Sequence, residues 1–225
     1  MEKNLNNAKH LETLQSDYFV RMMLPDAEKK VSSYVIEEKR NLIKLLKSVK
    51  KISNFNFVVI GSGTLWYIDL AYESVKKYIA VEPLADIFIA KQVMFVLKQL
   101  KSIDVVKKNF GDFSKKILNE NNSIFVFHFN ILSYINDPFK KINKYLKEGD
   151  ILYVSSWNIT ETAINVRKEY FDFLNAETNP SDFKIDPTST LGLCDLDSFP
   201  FCELKFYKSH KRIKGEITDI LIVYS

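Results

Sequence analysis

The feature that most constrains the fold is a regular alternation of short apolar runs and longer amphipathic stretches between residues 56 and 174. Five apolar runs have the length of buried strands, namely residues 57–60, 78–81, 103–107, 124–129 and 151–155. Helical periodicity marks the segments after them, namely residues 64–77, 84–100, a short segment ending near 119, 138–146 and 159–174. Continuous apolar runs are typical of strands buried on both faces. The pattern therefore predicts a mostly parallel sheet with crossover helices on both faces.

The two ends of the chain depart from this alternation. Residues 8–23 and 26–50 have the spacing of amphipathic helices, the second broken near Arg40, and predict an N-terminal helical cap. Residues 175–202 are long and irregular and contain three prolines, which predicts a loop. Residues 203–208 and 216–224 then predict two strands of a hairpin, so that the sheet ends antiparallel.

Composition and charge argue against nucleic acid, a metal ion and a membrane as partners of this protein. The net charge of +4 is small for 225 residues and the lysines are spread along the chain, which disfavours a nucleic-acid surface. The two cysteines form no disulfide framework and the three histidines are scattered, so we expect no metal site. The N-terminus has no apolar signal core, and no stretch approaches the roughly 20 apolar residues needed to cross a bilayer. We expect a cytoplasmic protein with no membrane contact, and the sequence does not indicate its oligomeric state.

The tripeptide Gly61-Ser62-Gly63 connects the first predicted strand to the first predicted helix. Such a turn presents backbone N–H groups at a helix N-terminus, where they can bind a ligand. The glycines have no Cβ, so a ligand can approach the backbone closely. The alternative is a tight strand-to-helix turn without a ligand.

Polar residues follow the next strands at the same edge of the predicted sheet. Glu82 comes 21 positions after Gly61, where a carboxylate can accept hydrogen bonds from a ribose diol; the alternative is a solvent-facing acid in a plain turn with Pro83. Asp112 follows the third strand and could meet the exocyclic amine of a base, cap the next helix, or do both.

The ends of the fourth and fifth strands lie where the reacting part of a ligand would be. His128 is a candidate general base there, although a histidine beside an apolar strand is more often part of the core. Asn130, with Ser133 and Tyr134, follows directly. Ser155, Ser156 and Trp157 end the fifth strand, and we interpret them as turn residues with an aromatic lid.

The order of motifs in this chain resembles that of the class I methyltransferases that use S-adenosylmethionine. The motifs are the strand–GSG–helix unit, VEP, GDF, FVFHFN, EGDILYV and the terminal hairpin. The resemblance covers residues 55–158 well and 203–225 in outline. It implies an α/β, Rossmann-like three-layer sandwich with a mostly parallel seven-stranded sheet. Residues 1–52 would form the helical cap and residues 53–225 the cofactor-binding and catalytic domain, with 175–202 as a loop insertion.

The resemblance also implies roles for single residues. Gly61 and Gly63 would lie against the methionine part of S-adenosylmethionine, Glu82 would hold the ribose hydroxyls, and Asp112 and Phe113 would lie near the adenine. Phe129 or Asn130 would line the methyl-transfer site. Ser62 and Pro83 complete the predicted cofactor-binding set.

This chain departs from the family pattern at two positions. The family often has an acidic residue two places before the first glycine, where this chain has Val59, so the group that holds the cofactor's amino group is not identified. It often has a third small residue where this chain has Leu65, which suggests a tighter helix start.

Four alternatives compete with methyl transfer to a small molecule. A dinucleotide-dependent dehydrogenase needs a third glycine where this chain has Trp66. Aminopropyl transfer to a polyamine would call for an acidic cluster that the sequence lacks. A methyltransferase acting on protein or RNA, and a nucleotide-binding module without catalysis, stay open. For a small acceptor methylated at nitrogen or oxygen, His128 could act as base, and Tyr134 and Trp157 could present aromatic faces to a sulfonium or ammonium group.

Overall fold

The computed structural model describes residues 31–225 except 64, 66, 72, 84, 89–93, 95, 96, 98, 99, 101, 130 and 178–195. The helix predicted over residues 8–23 and most of the predicted 175–202 loop therefore lie outside the described residues. The same holds for Trp66 and Asn130 and for one of the two cysteines, Cys194.

One seven-stranded sheet organises the described chain, with the spatial order β3-β2-β1-β4-β5-β7-β6. Strands β1 to β5 are parallel, and β7 runs antiparallel to both β5 and β6. The strands are β1 (Asn56–Ile60), β2 (Lys77–Val81), β3 (Ile103–Val106), β4 (Ser123–Phe127), β5 (Ile151–Trp157), β6 (Ser209–Lys214) and β7 (Thr218–Tyr224). The predicted fold class is confirmed.

Five α-helices are described: α1 (Val31–Ser48), α2 (Ile68–Ala71), α3 (Ala85–Phe88), α4 (Pro138–Tyr145) and α5 (Glu161–Glu177). Short 3₁₀ turns join several elements, namely Ile52–Asn54, Lys115–Leu118, Ile131–Tyr134 and Phe201–Glu203. The predicted helical cap is thus represented by α1. This helix runs without a break through Arg40, so the predicted interruption there was wrong.

The sheet separates two apolar layers, and the alternation of side chains along β1 shows how. Phe57 and Val59 contribute to one layer, together with Leu42 and Leu45 of α1. Val58 and Ile60 contribute to the other, which includes residues of α4. Because successive side chains of a strand point to opposite faces, a run of apolar residues such as 57–60 needs a covering layer on each side. All five residues of β1 are buried accordingly.

The helix predicted over residues 64–77 was largely wrong, since only Ile68–Ala71 is α-helical among the described residues. The backbone explains the difference. Leu65 has φ 69° and Tyr67 has φ 64°, both in the left-handed region. Residues in that region cannot continue a right-handed helix, so the loop after β1 stays irregular until Ile68.

The first strand of the terminal hairpin begins later than predicted. Residues 203–208 were predicted as a strand, whereas β6 is Ser209–Lys214 and Phe201–Glu203 forms a 3₁₀ turn. Strand β6 lies at the edge of the sheet and its residues are exposed or half-buried. An edge strand that faces water carries polar and basic side chains and so lacks the apolar signature of a buried strand.

The order of strands reverses between β1 and β4, which are neighbours in the sheet although two strands separate them in the chain. In open α/β sheets, ligands bind outside the carboxyl ends of the strands at such a reversal. The loop after β1 and the residues after β4 border this position. None of the described helices is both long and apolar enough to cross a bilayer.

Candidate functional site

The carboxyl ends of β1, β2 and β4 are joined by hydrogen bonds at the strand reversal. The Gly61 N–H donates to the Val81 carbonyl at 2.9 Å. His128 Nε2 lies 2.9 Å from the Gly61 carbonyl oxygen, and because that oxygen can only accept, Nε2 is the donor. His128 is 6% exposed. The predicted base therefore holds the glycine turn to the end of β4.

Gly61 is required by its own backbone and by a neighbouring side chain. Its φ is 67°, and a Cβ at this position would lie 2.9 Å from both Cδ1 and Cγ1 of Ile131. Any other residue would thus be strained in conformation and crowded by Ile131. Close approach of a ligand was the predicted reason for this glycine; the structure supplies a sufficient reason within the protein.

Glu82 and Gly63 meet directly. The Gly63 N–H donates to Glu82 Oε2 at 3.0 Å, and the Glu82 N–H donates to the Val106 carbonyl at 3.0 Å. Glu82 is 5% exposed, so this acid does not face the solvent. Two predicted cofactor-binding elements, the glycine turn and the acid after β2, are thus side by side at one edge of the sheet.

Ser62, between the two glycines, is a polar residue that the described part of the protein leaves unsatisfied. The residue is fully buried, and its Oγ has no hydrogen-bond partner among the described residues. A buried hydroxyl without a partner costs roughly 1–3 kcal/mol. Such a group at the centre of a glycine turn fits a ligand that supplies the missing hydrogen bond.

The predicted adenine-side residues have different surroundings. Asp112 is exposed, as is Pro83. The Phe113 ring is buried and stacks on Tyr145 with 4.2 Å between ring centroids, and the Tyr145 hydroxyl donates to the Phe113 carbonyl at 2.9 Å. The cap of the following 3₁₀ turn is Ser114, whose Oγ accepts from the Lys116 N–H, so the capping alternative for Asp112 was wrong.

The residues after β4 are partly described. Phe129 has φ 47°, in the left-handed region, and its ring lies 5.5 Å from that of Tyr170 in α5. Asn130 lies outside the described residues, and so does the side chain of Tyr134, whose backbone belongs to the 3₁₀ turn Ile131–Tyr134. Their predicted roles at the methyl-transfer site stay predictions.

Sequence reasoning missed a buried carboxylate in this region, that of Glu38 in α1, which is 0% exposed. Glu38 Oε1 accepts from the Phe129 N–H at 2.9 Å and from the Ser155 hydroxyl. Oε2 accepts from the Tyr67 hydroxyl. Glu38 therefore links α1 to the loop after β1, to the residues after β4 and to β5.

Aromatic rings enclose this carboxylate. Tyr34 lies 4.8 Å from Phe129 and 4.4 Å from Trp157, and Phe129 lies 5.6 Å from Trp157, as ring-centroid distances. Burial, reinforced by the negative charge of Glu38, raises the pKa of Tyr67 well above its usual value. Tyr67 therefore stays a neutral O–H donor at physiological pH.

The sequence did contain a signal for Glu38. Tyr34, Glu38, Leu42 and Leu45 fall at helical spacing, and the other three are buried apolar or aromatic positions. A glutamate in the middle of an apolar helix face is rarely buried without hydrogen-bond partners. The burial of this glutamate could therefore be predicted from the sequence, although its hydrogen-bond partners could not.

Comparison with known proteins supports the fold. No protein-family model and no curated protein matches the chain. Among solved structures, the CurJ carbon methyltransferase is similar over 93% of this chain and 58% of its own, at 11% identity and a TM-score of 0.57. The CMeT domain of the citrinin polyketide synthase is similar over 81% of this chain and 50% of its own, at 11% identity and a TM-score of 0.52.

This chain has the fold of the class I methyltransferases. It spans less than two thirds of either structure, at 58% and 50%. The N-methyltransferase NodS from Bradyrhizobium japonicum WM9 is a further match, at 13% identity over 89% of this chain and 98% of its own, with a TM-score of 0.48.

Proposed function

We propose that this protein is an S-adenosylmethionine-dependent methyltransferase. The observation that carries the proposal is the meeting of the glycine turn, Glu82 and His128 at the strand reversal, joined by the Gly63–Glu82 and Gly61–His128 hydrogen bonds. In this fold a ligand binds at that edge. The similarity to methyltransferases of known structure supports the same proposal at the level of fold.

The residues at this edge fit the cofactor chemically. The unsatisfied Ser62 hydroxyl can hydrogen-bond the polar methionine portion, and the buried Glu82 carboxylate suits the ribose diol. When bound, S-adenosylmethionine supplies a methyl group on a positively charged sulfur. Held by Ser62 and Glu82, the cofactor would supply this methyl group to a lone pair of the acceptor, and the sulfur would keep the electron pair of the broken bond as a neutral thioether.

The contribution of the chain itself is positioning and exclusion of water. His128 fixes the Gly61 carbonyl, and Glu38 fixes Tyr67 and Phe129, two residues with positive φ. Non-glycine residues in that region are costly and persist where the surroundings hold them, often at functional sites. Holding two reactants in line can supply much of the rate of a transfer reaction. A role for His128 as general base stays a prediction.

For the acceptor we propose a small molecule methylated at nitrogen or oxygen, in the cytoplasm. The modest net charge of +4 supports this choice over a nucleic acid. The half-buried Phe129 ring, which directly follows His128 at the end of β4, supports an acceptor with an apolar or cationic part. Methylation of a protein or RNA and nucleotide binding without catalysis are the competing functions.

Titration calorimetry of the purified protein tests the proposal. S-adenosylmethionine and its product S-adenosylhomocysteine should both bind with one-to-one stoichiometry, and NADH should not. If neither sulfur ligand gave a heat of binding, the proposal that the protein is a methyltransferase would be refuted. Binding of both without methyl transfer to any of a panel of small amines and phenols, followed with a methyl-labelled cofactor, would count against a small-molecule acceptor and favour one of the two competing functions.

A further inference from the structure

Glu38 is a buried acid whose hydrogen bonds fit a negative charge. The Tyr34 hydroxyl donates to Ser155 Oγ at 3.1 Å, so Ser155 has its own proton available for Glu38. Tyr67 and the Phe129 N–H are the other donors. An ionised carboxylate is an acceptor only and can receive all three bonds, whereas a protonated one would turn a donor of its own toward one of them.

This charge has no cationic partner in the described chain. Each group that donates to Glu38 is neutral, and no salt bridge among the described residues joins it to a lysine or arginine. Buried charges in proteins are normally paired with an opposite charge. Water does not screen this one, because Glu38 and Tyr34 are 0% exposed and Trp157 is 5% exposed.

The carboxylate is close to the glycine turn through two side chains. Tyr67 donates to Glu38, and its ring lies edge-on to His128 with 5.5 Å between centroids. His128 in turn donates to the Gly61 carbonyl at 2.9 Å. The negative charge is thus two side-chain contacts from the turn where the proposed ligand lies.

We propose that Glu38 makes this site prefer a positively charged sulfonium ligand to its neutral thioether product. The inference rests on the proposed function. Methyl transfer removes one positive charge from the ligand, so a fixed negative charge nearby stabilises the substrate complex more than the product complex. Glu38 is therefore a specificity-determining residue that also favours release of the product.

The test compares dissociation constants for S-adenosylmethionine and S-adenosylhomocysteine, measured by calorimetry in the full chain. Glu38→Gln and Glu38→Met both remove the charge at similar volume, and Met serves if the Gln variant does not fold. Each should lower the preference for the sulfonium ligand by roughly tenfold relative to wild type. Glu38→Asp keeps the charge and should keep most of the preference, even where both affinities fall.

Glu37→Gln is the matched control. Glu37 is the preceding residue of α1, and its carboxylate accepts from the Ile217 N–H beside the β6–β7 turn, which lies beyond β5 from the strand reversal. The control should leave the preference unchanged. Equal weakening of both ligands by the neutral Glu38 variants would overturn the inference and leave Glu38 a positioning residue. Absence of binding of either ligand to wild type would instead overturn the proposed function, and the inference with it.

Discussion

Replacement of Gly61 by alanine tests whether the glycine turn is fixed by its neighbours within the protein. Gly61→Ala forces a Cβ onto a residue with φ 67°, which costs roughly 1–2 kcal/mol. The new Cβ also lies 2.9 Å from Cδ1 and Cγ1 of Ile131, and such crowding costs roughly 1–3 kcal/mol. The lower flexibility of alanine in the unfolded chain returns about 0.4–1 kcal/mol. The free energy of unfolding should therefore fall by about 1–5 kcal/mol.

A double-mutant cycle separates the two costs. Ile131→Ala removes Cδ1 and Cγ1 and leaves Cβ, which lies 3.9 Å from the position that an alanine Cβ would take at residue 61, an ordinary van der Waals separation. Gly61→Ala should thus cost about 1–3 kcal/mol less in the Ile131→Ala background than in wild type. The conformational cost should remain in both backgrounds.

Urea denaturation followed by tryptophan fluorescence and circular dichroism measures all four proteins of the cycle. A Gly61→Ala variant as stable as wild type would refute the conformation given for the turn. A coupling energy of zero would refute the contact with Ile131. Because the added Cβ points at Ile131, the double variant should also bind S-adenosylhomocysteine nearly as well as wild type.

Three further predictions concern single side chains. Glu82→Gln should weaken binding of S-adenosylhomocysteine about tenfold by calorimetry, because the ribose hydroxyls lose a charged acceptor, and an unchanged affinity would remove that role. His128→Gln should keep this affinity, because its amide can still donate to the Gly61 carbonyl, whereas His128→Ala should lose it. Equal affinities of the two variants would show that the hydrogen bond to Gly61 does not contribute to ligand binding. Burial raises the pKa of Asp150 from 3.8 to about 6 although the Ser123 and Lys147 N–H groups oppose the shift. Its folded form therefore binds a proton more tightly than the unfolded form, and its contribution to stability should fall by up to about 3 kcal/mol as the pH rises from 4 to 7. Asp150→Asn should remove this slope in pH-dependent urea titrations, and an identical slope would refute the shift.

The sheet was predictable because each of its central strands is buried on both faces. The bounds of the five parallel strands were predicted to within a few residues. An apolar run such as Val58-Val59-Ile60, directly followed by a glycine turn, indicates a buried strand. Strand β6 was misplaced because its polar, basic sequence is that of an exposed edge. The helix after β1 was overestimated because periodicity does not reveal positive φ at Leu65 and Tyr67.

The residues of the candidate site were predictable only where they directly follow a strand, because the order of the strands then sets their position. Gly61, Glu82 and His128 follow neighbouring strands, so topology brought them together as expected. Glu38 reaches the same edge from α1, and the contacts that bring it there with Phe129 and Ser155 span 91 and 117 positions in sequence. Separations of that size leave no local pattern, and only the packing of α1 on the sheet reveals them.

A crystal structure of the protein grown with S-adenosylhomocysteine is the most direct test of the proposed cofactor site. We expect one ligand molecule outside the carboxyl ends of β1 and β2, with its ribose hydroxyls on Glu82 and a polar group within hydrogen-bond distance of Ser62 Oγ. Density at any other place on the sheet, or none at saturating ligand, would contradict this site.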